Sequence, residues 1–103
     1  MQIDKLRGKE LDQLFKAILL LEDVEECYRL FDDLATVNEI QSLAQRMQVA
    51  RMLREGYTYH KIETETGAST ATISRVKRSL NYGNDAYDMI LERLYKEEEK
   101  PVE

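Results

Sequence analysis

Between Tyr59 and Tyr82 the chain gathers the side chains best suited to recognising another molecule, in the run YHKIETETGASTATISRVKRSLNY. Ser69, Thr70, Thr72 and Ser74 supply hydroxyls around the small Ala71. Arg75, Lys77 and Arg78 follow with no acid among them. Small polar and methyl groups can meet base edges in the major groove of duplex DNA, and cations further along the same element can reach the flanking phosphates. A helix that is small and polar at its start and cationic beyond it suits such a groove.

Presenting that surface requires a hairpin of two helices. Gly67 stands where a tight turn needs a residue tolerant of positive φ. Ser69 or Thr70 can then accept from the orphan amides that open the second helix. Ile62, Ala68, Ile73 and Val76 fall at spacings that pack the pair together. Glu63 and Thr66 depart from the usual pattern, in which a small and a larger apolar residue stand there. A short, slightly rotated first helix would turn both outward. The same pattern also fits a helical protein-interaction module that keeps the hairpin without binding DNA.

The remaining elements follow from 3.6-residue periodicity. Leu11, Leu14, Phe15, Ile18 and Leu19 line a first helix, with a possible entry from Ile3 and Leu6. Val24, Cys27, Tyr28, Phe31 and Leu34 line a second. Thr36 with Glu39 forms a capping-box signature. It opens a long third helix striped by Ile40, Leu43, Ala44, Met47 and Ala50 and ending near Gly56. Thr58 caps the short first hairpin helix, and the second runs to about Tyr82. Gly83 stops it, Asn84 or Asp85 starts a last helix with Tyr87, Ile90, Leu91, Leu94 and Tyr95 on one face, and Glu97 to Glu99 reads as a fraying solvated end. No stretch alternates long enough for a sheet, so the class is all-α with about six helices.

With 103 residues, 43% of them apolar, the chain is one domain spanning 1–103. The net charge of −5 is unevenly spread. Glu22 to Asp33 and Asp85 to Glu103 are acidic, whereas Arg46 to Arg78 is basic, and distribution matters more than the sum for a nucleic-acid partner. The single Cys27 excludes an intramolecular disulfide and fits a reducing, cytoplasmic setting. It shares an apolar stripe and is expected to be a buried thiol. Pro101 lies in the tail, and neither a signal-peptide layout nor a membrane span is seen. His60 has no second histidine or cysteine at ligand spacing, so no metal is implied. No cofactor is implied either: there is no glycine-rich phosphate loop. No nucleophile-and-base set or carboxylate pair in an apolar setting suggests an enzyme.

Leu19, Leu20 and Leu21, together with Val49, Met52 and Leu53, give more apolar surface than one partner helix covers. A homodimer is expected, built on helices at about 9–55 and 84–96, with the hairpin at about 59–82.

The segments ATVNEIQSLAQRMQVARMLREG from Ala35 and TGASTATISRVKRSL from Thr66 resemble the Trp-repressor-like family, its YerC/YecD group most closely. Thr36, Glu39, Leu43, Arg46, Leu53 and Gly56 match the family pattern in the first segment. Gly67, Ala68, Ala71, Thr72, Ile73, Arg75, Ser79 and Leu80 match it in the second. The resemblance implies a helix-turn-helix regulator, a repressor by kinship, that binds duplex DNA as an intertwined dimer. It places base contacts at Ser69, Thr70, Ala71 and Ser74, and phosphate contacts at Tyr59 and His60. Lys77 and Arg78 are added on charge alone. The family's corepressor pocket would fall at Thr36, Arg46 and Arg75. There the repressor has glycine after the second arginine, and this chain has Val76. Extra bulk in a packed site costs roughly 1–3 kcal/mol, so tryptophan is not expected to be required. Whether another small-molecule corepressor exists is left open.

Overall fold

Side-chain caps and good helix formers divide the chain into six α-helices in the computed structural model, which describes residues 1–100. They are α1 (Lys9–Leu19), α2 (Val24–Leu34), α3 (Val37–Arg54), α4 (Tyr59–Thr66), α5 (Thr70–Tyr82) and α6 (Ala86–Glu98). All regular structure among the described residues is helical. Ile3 and Leu6 belong to a separate 3-10 turn, Gln2–Leu6, rather than to an extension of α1. Pro101 lies outside the described residues. No described helix is long and apolar enough to cross a membrane.

The chain divides into two compact units, Met1–Ile40 and Gln41–Glu103. In the first, Asp23 caps α2 by accepting from the Glu26 N–H at 2.8 Å, and the Glu26 carboxylate accepts from the Glu22 N–H at 2.9 Å. Thr36 and Glu39 form the expected reciprocal box at the start of α3, at 3.2 and 2.9 Å. The Thr36 N–H, and then its hydroxyl, hold the Glu39 carboxyl below the usual range. Although α1 and α2 are amphipathic, neither buries a residue in the single chain. Leu19 is 82% exposed, Leu20 78%, and Val24 and Tyr28 71% each. Cys27 is exposed with them, contrary to the expectation of a buried thiol. The stripe that was to bury it is itself open.

The second unit holds the core: Val49, Ala50 and Met52 of α3, Ile62, Ala68, Ile73, Val76 and Leu80 of the hairpin, and Leu91 of α6. Leu43 and Ala44, read as part of the α3 stripe, are exposed, while Met47 and Leu53 pack against the core from its edge. Apolar residues surround α3, so periodicity alone does not identify the buried side. Tyr87 and Tyr95 flank Leu91 one turn away on either side and carry α6 onto the same core.

Ion pairs reinforce that docking. Arg51 donates to Glu98 at 2.7 Å and Arg54 to Asp88 at 2.7 Å. The Arg51 guanidinium also lies 5.0 Å from the Tyr95 ring centroid. Glu98 therefore belongs to a clasp and not to a fraying end. Arg51 holds the Glu98 carboxyl below its ordinary range, and Arg54 does the same to Asp88.

At the α5–α6 junction Gly83 has ordinary negative φ, but a Cβ there would collide with the Ser79 carbonyl. Asp85 then enters α6 at φ 61 without a side-chain cap.

Candidate nucleic-acid interface

Three short-range devices shape the hairpin. Thr58 accepts from the Lys61 N–H at 3.2 Å and starts α4. Gly67, at φ 72, closes it by donating to the Glu63 carbonyl at 2.9 Å. Ser69 rather than Thr70 caps α5, accepting from the Thr72 N–H at 3.1 Å. Thr66 does not turn outward: it is half-buried, donating to the Ile62 carbonyl at 2.7 Å and accepting from the Ala68 N–H at 3.1 Å. Its own carbonyl accepts from the Gln45 amide of α3 at 3.1 Å, which ties the turn to the helix behind it.

Burial of Ile73, Val76 and Leu80 leaves the other side of α5 exposed, and that side carries Ala71, Ser74, Arg75, Lys77 and Arg78. Thr70 is exposed as well, but its hydroxyl donates to Glu63 Oε1 at 2.7 Å. Ser69 donates to the Thr72 hydroxyl at 3.1 Å, so this pair is engaged with itself, and Thr72 is half-buried. Tyr59 packs against the core beneath the ammonium of Lys77, 5.5 Å from its ring centroid. His60 is exposed and its carbonyl accepts from the Thr64 hydroxyl at 2.9 Å. The structure thus brings the predicted residues onto one hairpin but divides them into outward-facing groups and groups that position the turn.

The cations divide in the same way. Arg51, Arg54 and Lys61 are each paired with a carboxylate. Lys61 donates to Glu65 at 2.8 Å, and that bond first of all raises its pKa. Arg75, Lys77 and Arg78 form no ion pair among the described residues. Positive charge on α5 is therefore open, while on α4 the single cation Lys61 is followed by two acids, Glu63 and Glu65.

A cavity of about 240 Å³ adjoins this surface, lined by Arg46, Thr72, Arg75, Val76, Ser79 and Tyr87. Two arginines and the valine expected at a family ligand pocket do meet there. Thr36 is not among the lining residues, and its hydroxyl serves as the cap of α3. Gln45, Ser79, Tyr87 and the Glu63–Thr70 bond were not anticipated. Glu63 was noticed only as a departure, because a contact seven residues apart across a turn leaves no periodic trace. Among the described residues no His, Cys, Asp and Glu group could hold a metal ion.

A sequence model described as Trp repressor protein matches residues 9–95. The chain is 83% identical over 94 residues to the uncharacterised protein YerC of Bacillus subtilis (strain 168), covering 91% of this chain and 90% of that one. A candidate Trp repressor from Staphylococcus aureus, known from a crystal structure, superposes with TM-score 0.90 at 72% identity, covering 92% of this chain and 95% of that one. A TrpR-like protein from Eubacterium eligens ATCC 27750 gives 0.86 at 60% identity, covering 88% and 94%.

Proposed function

We propose that this chain, which belongs to the Trp repressor family, is a cytoplasmic transcription repressor that reads duplex DNA as a homodimer, without tryptophan. The family is one of DNA-binding helix-turn-helix regulators rather than enzymes. The observation that carries the reading is the charge arrangement of α5: Arg75, Lys77 and Arg78 are exposed and form no ion pair among the described residues, just beyond Ala71 and Ser74. Cations left without carboxylates suit phosphates, whose neutralisation releases counterions.

Dimerisation is supported by the first unit. Its helices bury no residue fully in the single chain, and an open groove of about 640 Å³ is bordered by Val24, Cys27, Tyr28, Phe31 and Ile40. A small chain that leaves such faces uncovered gains most from a second copy. Two hairpins about one DNA turn apart, roughly 34 Å, would read a palindrome.

Independence from tryptophan rests on Val76, which is 3% exposed and part of the core. Its isopropyl group packs the hairpin where the repressor's glycine leaves room for a ring.

A second reading, a protein-interaction module, is favoured by the Lys61–Glu65 pair and by Glu63, which interrupt positive charge on α4. Selection of bound duplexes from a random pool separates the two. The DNA reading expects one enriched palindromic motif. A folded protein that enriches nothing supports the interaction module.

A further inference from the structure

Thr70 is the first residue of α5, at the end of the helix that faces base edges in the reading above. Its single hydroxyl proton goes to Glu63 Oε1 at 2.7 Å, the length of a charge-assisted bond. With that donor engaged, the Thr70 oxygen has only lone pairs to offer. Glu63 is an acceptor too, and its Oε2 makes no hydrogen bond among the described residues. No described cation pairs with it, since neighbouring Lys61 is held by Glu65. Glu63 is half-buried as a residue on α4, and the Thr70 bond orients its carboxylate at the exposed surface.

The Glu63–Thr70 side-chain pair therefore presents two adjacent acceptors and no side-chain donor. In the major groove, adenine N6 and cytosine N4 offer amino protons, whereas guanine O6 and N7 and thymine O4 are acceptors. We propose that Glu63 and Thr70 form a specificity element, resting on the DNA-binding reading, that selects adenine or cytosine at one position of each half-site. Guanine or thymine there would set acceptor against acceptor, so discrimination comes from exclusion as well as attraction. The carboxylate also repels phosphate, which lowers affinity for unrelated sequence and leaves the chosen base to decide binding.

The test is duplex selection from a random pool with the full chain, followed by competition binding, for the wild type, Glu63→Gln and Thr70→Val. The wild type should restrict one position per half-site to adenine or cytosine. Glu63→Gln adds a donor while keeping an acceptor, so discrimination at that position should fall on the order of tenfold. Thr70→Val, similar in shape but without the hydroxyl, should alter the same position. A wild-type motif with no position restricted to adenine or cytosine overturns the proposal without reference to any variant. Identical motifs from all three proteins reduce the bond to a helix–helix tie and overturn it, with DNA binding intact. Failure of the folded wild type to enrich any motif overturns both this proposal and the DNA reading.

Discussion

The Lys77 ammonium lies over the Tyr59 ring, so a cation of α5 rests on an aromatic of α4 that is itself packed against the core. Such a contact is worth about 0.5–1 kcal/mol at an exposed site. Its larger effect is to restrict a long flexible side chain. Lys77 and unpaired Arg78 are therefore expected to contact phosphates. The double variant Lys77→Ala, Arg78→Ala should weaken binding to every duplex and flatten the salt dependence by about 0.9 of slope per lost contact. Filter binding across a salt series measures this, and unchanged affinity removes both residues from the interface.

Turn geometry gives a stability prediction. Gly67 has φ 72, and a Cβ there would meet nothing within 4 Å. Gly67→Ala should therefore cost only the left-handed backbone penalty, about 1–2 kcal/mol, with Gly67→Asn milder. Gly83→Ala should cost more than Gly67→Ala, because its Cβ meets the Ser79 carbonyl. Melting temperatures should fall in the order Gly67→Asn, Gly67→Ala, Gly83→Ala.

The α3–α6 clasp predicts acid sensitivity. The folded carboxyls of Asp88 and Glu98 titrate below their ordinary values of 3.8 and 4.5. Their stabilisation is thus fully present above that range and is lost as pH falls through the lower folded values. Both groups are substantially exposed, so the effect is modest. Asp88→Asn, Glu98→Gln should melt lower than wild type at pH 7 and converge with it once the pH has fallen below the lowered folded values. A constant gap in melting temperature at all pH values would refute the assignment.

Assembly should show in concentration dependence. If the open faces of α1 and α2 meet a second copy, the unfolding midpoint rises with protein concentration. Tyr28→Glu should abolish that rise. A folded, stable wild-type monomer in sedimentation at micromolar concentration rules the dimer out.

Tryptophan should have no effect. Calorimetry with millimolar L-tryptophan should give no saturable heat, and DNA retention should not change on its addition. Clear heat together with tryptophan-dependent retention would show that Val76 does not block the pocket.

Short-range chemistry was legible in the sequence and long-range choice was not. Thr36, Thr58 and Ser69 each precede by three residues the amide they satisfy. Gly67 likewise announces its turn by needing a conformation that other residues resist. These are contacts within one helical turn, and a pattern can reveal them. Cys27 was misplaced because an apolar stripe says that a face seeks cover, not that the same chain supplies it. Leu43 and Ala44 failed for another reason: α3 is apolar on several sides, and only the packed neighbours decide which side is buried. Glu98 looked solvated because its partner, Arg51, lies 47 residues earlier. At the candidate interface, the placing of these residues on one hairpin was readable, but the division between outward groups and turn-positioning groups required the hydrogen bonds.

If a second copy covers the bare leucines around the α1–α2 junction, they also bear on the life of the chain before it pairs. A newly made chain with Leu19 and Leu20 about four-fifths exposed offers the surface that holdase chaperones and quality-control proteases recognise. Synthesis below the concentration needed for pairing would then end in degradation, and the supply of working regulator would rise more steeply than the rate of translation. A pulse-chase comparison at low and high expression measures this directly, with a longer half-life expected at the higher level.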